Sequence, residues 1–268
     1  EALSRYPRDS YYLATKLPGT YMRDENKTTA ELFNGQLEKC GVDYFDFYLL
    51  HNITEWSVKI YESQEYHIIP DIVKMKEEGE IRHLGFSFHG GPELLEEFLT
   101  RHEGEFEFVQ IQCNYLDWTL QDAKRKYDII TAHGLGVWVM EPCRGGKLAK
   151  LSEENHALLV KNDPEASDAS YAFRFLQGLP NVKVILSGMN ETDQVIDNLK
   201  TFEEHKPLSE VERNVLAEIA ESMKKGVPCT GCRYCCKGCP MELDIPMLIE
   251  CYNNMKFASS LNMSVRLD

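Results

Sequence analysis

A recurring alternation constrains this fold more than any other feature. Six short β-rich runs are each followed by a polar stretch with helical spacing. The runs are "YYLAT" (11–15), "YFDFYLL" (44–50), "RHLGFS" (82–87), "FEFVQIQ" (106–112), "LGVWVM" (135–140) and "VKVILS" (182–187). Several are apolar without strict alternation, which suits parallel strands covered by helices. Stretches between them, such as "TTAELFNGQLEKCG" and "SDASYAFRFLQG", place apolar residues at i, i+3 and i+4 and close on Gly, a common helix stop. Strands starting at 11 and 182 lie five units apart, so a unit takes roughly 34 residues. A (β/α)8 barrel takes about 31 per unit. Six units cannot close that barrel. The expectation is a TIM-type α/β barrel lacking about its first two β-α units, which would need about 65 residues before Glu1. "EALSRYPRDS" reads as a helix end and loop, so the chain is expected to begin mid-protein. An open doubly wound sheet is the alternative, although no GxGxxG follows any run.

The barrel region is assigned to 1–205. The remainder, 206–268, is assigned to C-terminal helices. "SEVERNVLAEIAESMKKG" is predicted as a helix capped by Ser209 with Glu212 completing a capping box. A cysteine-rich loop and a last helix, "IPMLIECYNNMKFA", follow. The net charge of −14 argues against nucleic-acid or anionic-membrane binding, because phosphate contacts need clustered Lys and Arg. No apolar run reaches the ~20 residues that span a bilayer.

Five of the nine cysteines fall within "CTGCRYCCKGCP". A disulfide scaffold is small, secreted and loop-rich. This chain is none of those, so the bunch reads as thiolates kept reduced in a cytoplasm. Cys229, Cys232, Cys235 and Cys239, followed by Pro240, give C-x2-C-x2-C-x3-C-P, the ferredoxin-type run for a [4Fe–4S] cluster. In two-cluster ferredoxins the fourth Cys serves the other cluster, so Cys236 and Cys251 are substitutes for Cys239. Zinc is the rival, on Cys229, Cys232, Cys236 and Cys239.

Barrel active sites are built at the C-terminal ends of the strands. Those ends here carry Lys16, His51, Ser87 with Phe88 and His89, Gln110 with Gln112, Glu141 to Gly146, and Ser187 with Gly188. Tyr115 and Trp118 follow the fourth run and read as packing residues or as a pocket lining.

"YLATKLP" and "VDYFDFYLLHN" resemble the third and fourth strands of the aldo-keto reductases. "KEEGEIRHLGFS" resembles their loop into strand five, "FVQIQCNYLD" their strand six, and "VKVILSGMNETDQVIDNL" their strand eight and following helix. The similarity covers nearly all of 1–205 and is nearest to a branch with a C-terminal cysteine motif. It implies hydride transfer from NAD(P)H to a small carbonyl substrate. By that resemblance Lys16 and His51 are the lysine and histidine of a catalytic Asp-Tyr-Lys-His tetrad. Lys⁺ favours a nearby phenolate, and His is a common acid–base partner. The Asp and Tyr belong to a segment with no counterpart here, so the chain is expected to be catalytically incomplete.

The same resemblance places Ser87 and Gln110 at the nicotinamide carboxamide, with Phe88 where an Asn is usual. Glu141, Pro142, Arg144 and Gly145 fall over the pyrophosphate, Ser187 and Gly188 at the phosphate-side turn, and Asn198 at the adenine. The residues that clamp an NADP 2′-phosphate fall at Gly188 and Gln194, neither of them cationic. It also favours Cys239 as the fourth cluster ligand. The cluster would transfer electrons to a partner protein, sense redox state or hold the tail. Two other functions fit less of the sequence: a non-catalytic nicotinamide-binding redox sensor, and a Schiff-base aldolase using Lys16.

Overall fold

The structure is a computed structural model that describes residues 3–19, 27–224, 234–241 and 243–257. They form two compact units. The first takes residues up to Gln112, Asp122–Met140 and Asn181–Val184; the second takes Cys113–Gln121, Glu141–Pro180 and residues from Ile185 onward.

The sheet has six strands: β1 (Ala14–Leu17), β2 (Phe45–Ile53), β3 (Ile81–Phe88), β4 (Phe108–Gln112), β5 (Gly136–Met140) and β6 (Val182–Ile185). Their spatial order is their sequence order. Strands β1 to β5 pair in parallel. A doubly wound sheet reverses its order at a switch point. This one does not, so the doubly wound alternative is overturned and barrel-type winding holds.

Two strand boundaries differ from the sequence expectation. β1 begins at Ala14 instead of Tyr11. The Asp46 carboxylate accepts from Leu13 N at 2.8 Å and from Arg8 at 2.6 Å, so strand pairing starts one residue later. β2 continues to Ile53. Lys16 and His51 therefore lie inside their strands and not after them.

The helices of the first unit are α1 (Thr29–Cys40), α2 (Val58–Tyr61), α3 (Ile68–Glu77), α4 (Pro92–Arg101) and α6 (Ala123–Ala132). α1 starts on a capping box between Thr28 and Glu31 and stops at Gly41, whose φ of 66° needs no Cβ. Phe86 and Phe88, two apart on β3, share the helix-covered side, where Phe45 and Tyr48 of β2 also pack. Phe33 meets Phe45 and Tyr48 edge-on, and Phe86 meets Phe98 and Phe106 likewise. On the other face of the sheet, Leu49, Phe108 and Trp138 pack with Phe47 and Val184.

The second unit holds α5 (Asp117–Leu120), α7 (Glu153–Val160), α8 (Asp168–Gln177), α9 (Thr192–Glu204) and α10 (Glu210–Met223). Its core joins Tyr115, Leu116, Leu148, Leu159, Tyr171, Leu216 and Ile219. The predicted capping box is present: Ser209 Oγ accepts from Glu212 N, and the Glu212 carboxylate accepts from Ser209 N. The same carboxylate takes Arg174 Nη2 at 2.6 Å, an ion pair the sequence did not announce. α9 leaves Val195, Ile196, Leu199 and Phe202 exposed. The cysteine run, expected to be all loop, contains one helical turn, α11 (Tyr234–Lys237); α12 (Ile245–Phe257) is the predicted last helix. Among the described residues, no helix is long and apolar enough to cross a membrane.

Candidate active site

In the first unit, β1 and β2 put Lys16 and His51 on neighbouring strands. Lys16 is the Cα partner of Leu49, and the ladder ends at Leu17↔Leu50, one residue before His51. Gln36 of α1 fixes the Lys16 peptide: its Nε2 donates to Lys16 O at 2.9 Å, and its Oε1 accepts from Tyr48 Oη at 2.8 Å. Desolvation holds the Lys16 ammonium below its usual range. Desolvation also lowers His51, and the charge of Lys16 lowers it further.

Beyond His51 the chain turns through Asn52, with φ at 63°. Asn52 N donates to Ser87 Oγ at 2.8 Å, and Ser57 Oγ donates to Asn52 O at 2.6 Å. Ser87 and Gln110 are Cα partners across β3 and β4, side by side and fully buried. Gln110 Nε2 points to Met140 Sδ at 3.3 Å. Phe88 is buried, on the face opposite Ser87.

His89 had no assigned role in the sequence. Its N–H donates to Ile53 O at 2.9 Å, which sets it beside the end of β2. Its imidazole is pushed down to about 4, first by desolvation and then by the charges of His51, Lys16 and Lys126. The residue is exposed at the surface, so solvent screens part of that effect. Its signal in the sequence was only its place two residues after Ser87.

In the second unit the loop after Met140 is held in an uncommon backbone form. Glu141 and Arg144 have φ of 57° and 48°, and Gly145 and Gly146 follow at 60° and 88°. A buried network holds it. Arg144 Nε donates to both Asp117 oxygens at 3.0 Å. Asn114 Nδ2 donates to Asp117 Oδ2 at 2.7 Å and to Glu141 O at 2.9 Å. Asn114 and Asp117 were not singled out in the sequence. Their contacts 27 residues ahead, to Glu141 and Arg144, carry no local pattern. Pro142 is buried and Gly145 exposed. Tyr115 belongs to the core and Trp118 meets Phe175 edge-on, so both are packing residues.

Two atoms of this loop are buried without a hydrogen-bond partner in the structure: Arg144 Nη1 and Glu141 Oε2. A guanidinium N–H shut off from water is satisfied by an anionic oxygen. Arg144 Nη1 therefore suits an oxygen of a phosphate group, whereas Glu141 Oε2, an acceptor, suits a donor. At the β6 end, Asn198 Nδ2 donates to Ser187 Oγ at 3.1 Å. Gly188 is open, with nothing within 4 Å of a Cβ built on it. Gln194 is committed elsewhere: its Oε1 accepts from Asn190 N at 2.9 Å, as part of the cap of α9.

Of the cysteines, Cys229 and Cys232 lie outside the described residues. Cys235 is exposed, and Cys236, Cys239 and Cys251 are partly buried. Among the described residues, no group of three or more His, Cys, Asp or Glu could hold a metal ion.

The α/β sheet is wound in sequence order, with Lys16 and His51 on adjacent strands. The chain belongs to the aldo/keto reductase family, whose model matches residues 1–221. Solved structures agree in fold. One is the thermostable aldo-keto reductase Tm1743 in complex with the inhibitor epalrestat, at TM-score 0.64 and 23% identity, covering 81% of this chain and 74% of that one. Another is holo aldo-keto reductase AKR11C1 from Bacillus halodurans, at TM-score 0.63 and 23% identity over 81% and 75%. A third is an aldo/keto reductase from Klebsiella pneumoniae in complex with NADP and acetate, at 0.63 and 18% over 82% and 73%. At such identities the likeness is one of fold. No match was found among curated proteins.

Proposed function

We propose that the protein reduces small carbonyl compounds with NAD(P)H, using Lys16 and His51 at the carbonyl oxygen. One observation carries this reading: the two side chains stand on paired strands, close enough that the charge of Lys16 acts on His51. A bound nicotinamide would supply the hydride. Lys16, as ammonium, counters negative charge growing on the oxygen. Its desolvation also makes it a readier proton donor than a solvated lysine. Neutral His51 donates its ring N–H to the same oxygen and orients the carbonyl. The test is the rate loss on replacing either residue, taken up in the Discussion.

Ser87 and Gln110 are the proposed carboxamide contacts. Arg144, with Glu141, Pro142 and Gly145, would hold the pyrophosphate; Ser187, Gly188 and Asn198 the adenosine side. β1 and β6 each have a neighbour on one side only in the described sheet. The barrel reading requires two further strands at those edges.

Gly188 and Gln194 supply no cation for a 2′-phosphate, and a dianion without a cationic partner is poorly held. NADH is therefore expected to bind at least as tightly as NADPH in a fluorescence titration. A tenfold or greater preference for NADPH, about 1.4 kcal/mol, contradicts this.

A [4Fe–4S] cluster on Cys229, Cys232, Cys235 and Cys239 rests on ligand spacing. Of these four, Cys235 is exposed and Cys239 partly buried. Protein purified without oxygen is expected to be brown and to carry about four irons and four sulfides per chain. Cys239→Ser should lower that count and Cys236→Ser should not. Colourless, zinc-loaded protein would rule the cluster out. Single-electron exchange with a partner protein is the role proposed for it.

A further inference from the structure

The β1–β2 ladder stops at Leu17↔Leu50, one residue after Lys16 and one before His51. Beyond that point a side chain from α2 links the two strand ends. Tyr61 is buried, at 1% exposure. Its hydroxyl donates to His51 O and lies 3.2 Å from Leu17 O; Gly19 N donates to it at 2.9 Å. A phenol carries one proton and two lone pairs. The single proton is thus shared between carbonyls on two different strands, and a lone pair receives the turn that leaves β1.

We propose that Tyr61 is a positioning residue that sets the separation of Lys16 and His51 by clamping the ends of β1 and β2 through its hydroxyl. Three features support a dedicated clamp. It binds the carbonyl of His51 itself and of the residue after Lys16. Burial keeps the phenol protonated, its loss of the proton raised to about 12. The turn is also cut to fit the ring: a Cβ on Gly19 would sit 2.7 Å from two ring carbons of Tyr61. Such a contact forces a shift, and the ring is held by packing and three polar partners.

The inference rests on Lys16 and His51 being the reacting pair, so its test includes a reading that needs no activity. The experiment follows the His51 ring by NMR titration in the whole protein, with and without Lys16→Met. The change in His51 pKa on losing the lysine measures their coupling. In the Tyr61→Phe background that change is expected to shrink clearly, with thermal melting confirming a folded protein. kcat for carbonyl reduction is expected to fall by up to about 100-fold, as for a misplacement of about 1 Å, with cofactor affinity unchanged.

Gly19→Ala is the second variant. It keeps the hydroxyl but drives a methyl into the ring, and should weaken the coupling in the same way. Coupling unchanged in both variants overturns the clamp. Coupling lost while Lys16→Met protein still turns over at the parental rate leaves the clamp standing and removes the proposed chemistry.

Discussion

Asp117→Ala is expected to lower the free energy of unfolding by about 3–5 kcal/mol. Asp117 is fully buried and Arg144 nearly so, at 0% and 3% exposure. Removing the carboxylate leaves the guanidinium buried with no counter-charge, the costly way to break such a pair. It also takes a partner from Asn114, which holds Glu141 O. Denaturant unfolding of the two proteins measures the difference. A loss below about 1 kcal/mol is the figure for an exposed pair, and would show that water reaches Arg144 in solution.

In protein that includes the segment supplying the tetrad Asp and Tyr, Lys16→Met and His51→Ala are each expected to lower kcat/KM for carbonyl reduction by about 10²–10⁴. The Lys16 change should not weaken folding, because burial already disfavours its charge in the native state. For His51 the sign runs through its lowered pKa. The unfolded chain binds a proton near pH 6.5 and the folded one binds it at lower pH. Charging the desolvated His51 ring therefore costs stability as pH falls below 6.5 toward the folded pKa, and contributes nothing above 6.5. A pH series of melting temperatures on parent and His51→Ala separates this contribution. If reductase activity survives Lys16→Met within about tenfold, the assignment of Lys16 fails.

The sequence was most readable where a local pattern sufficed. The presence of the strands, the Ser209–Glu212 cap and the Gly41 stop follow from periodicity and capping chemistry within a few residues, whereas the strand order was fixed only by long-range pairing. Lys16 and His51 were visible because strand ends in an α/β unit converge, and neighbouring parallel strands carry them. Four-residue helices such as α2 and α5 were not visible, since one turn has no periodicity to detect. Neither was the start of β1, fixed by a carboxylate 33 residues ahead of Leu13.

Roles decided by distant partners were hidden as well. Tyr61 reads as one more aromatic until Gly19, 42 residues before it, is brought to its hydroxyl. Gln194 illustrates the opposite case. Its place suggests a cofactor contact, and its side chain also serves the cap of α9. A residue that satisfies backbone donors at a helix start has less freedom to serve a ligand.

The contact between Gly19 and Tyr61 also restricts how this protein can change over generations. An alanine at position 19 meets the ring at 2.7 Å while tyrosine is in place. The ring, in turn, can be exchanged for a smaller one only if the strand ends find another tie. The two positions therefore form an ordered pair: a side chain at 19 is accommodated without displacing the ring only after 61 has changed. While the tyrosine stays, sterics alone favour glycine at the turn after β1.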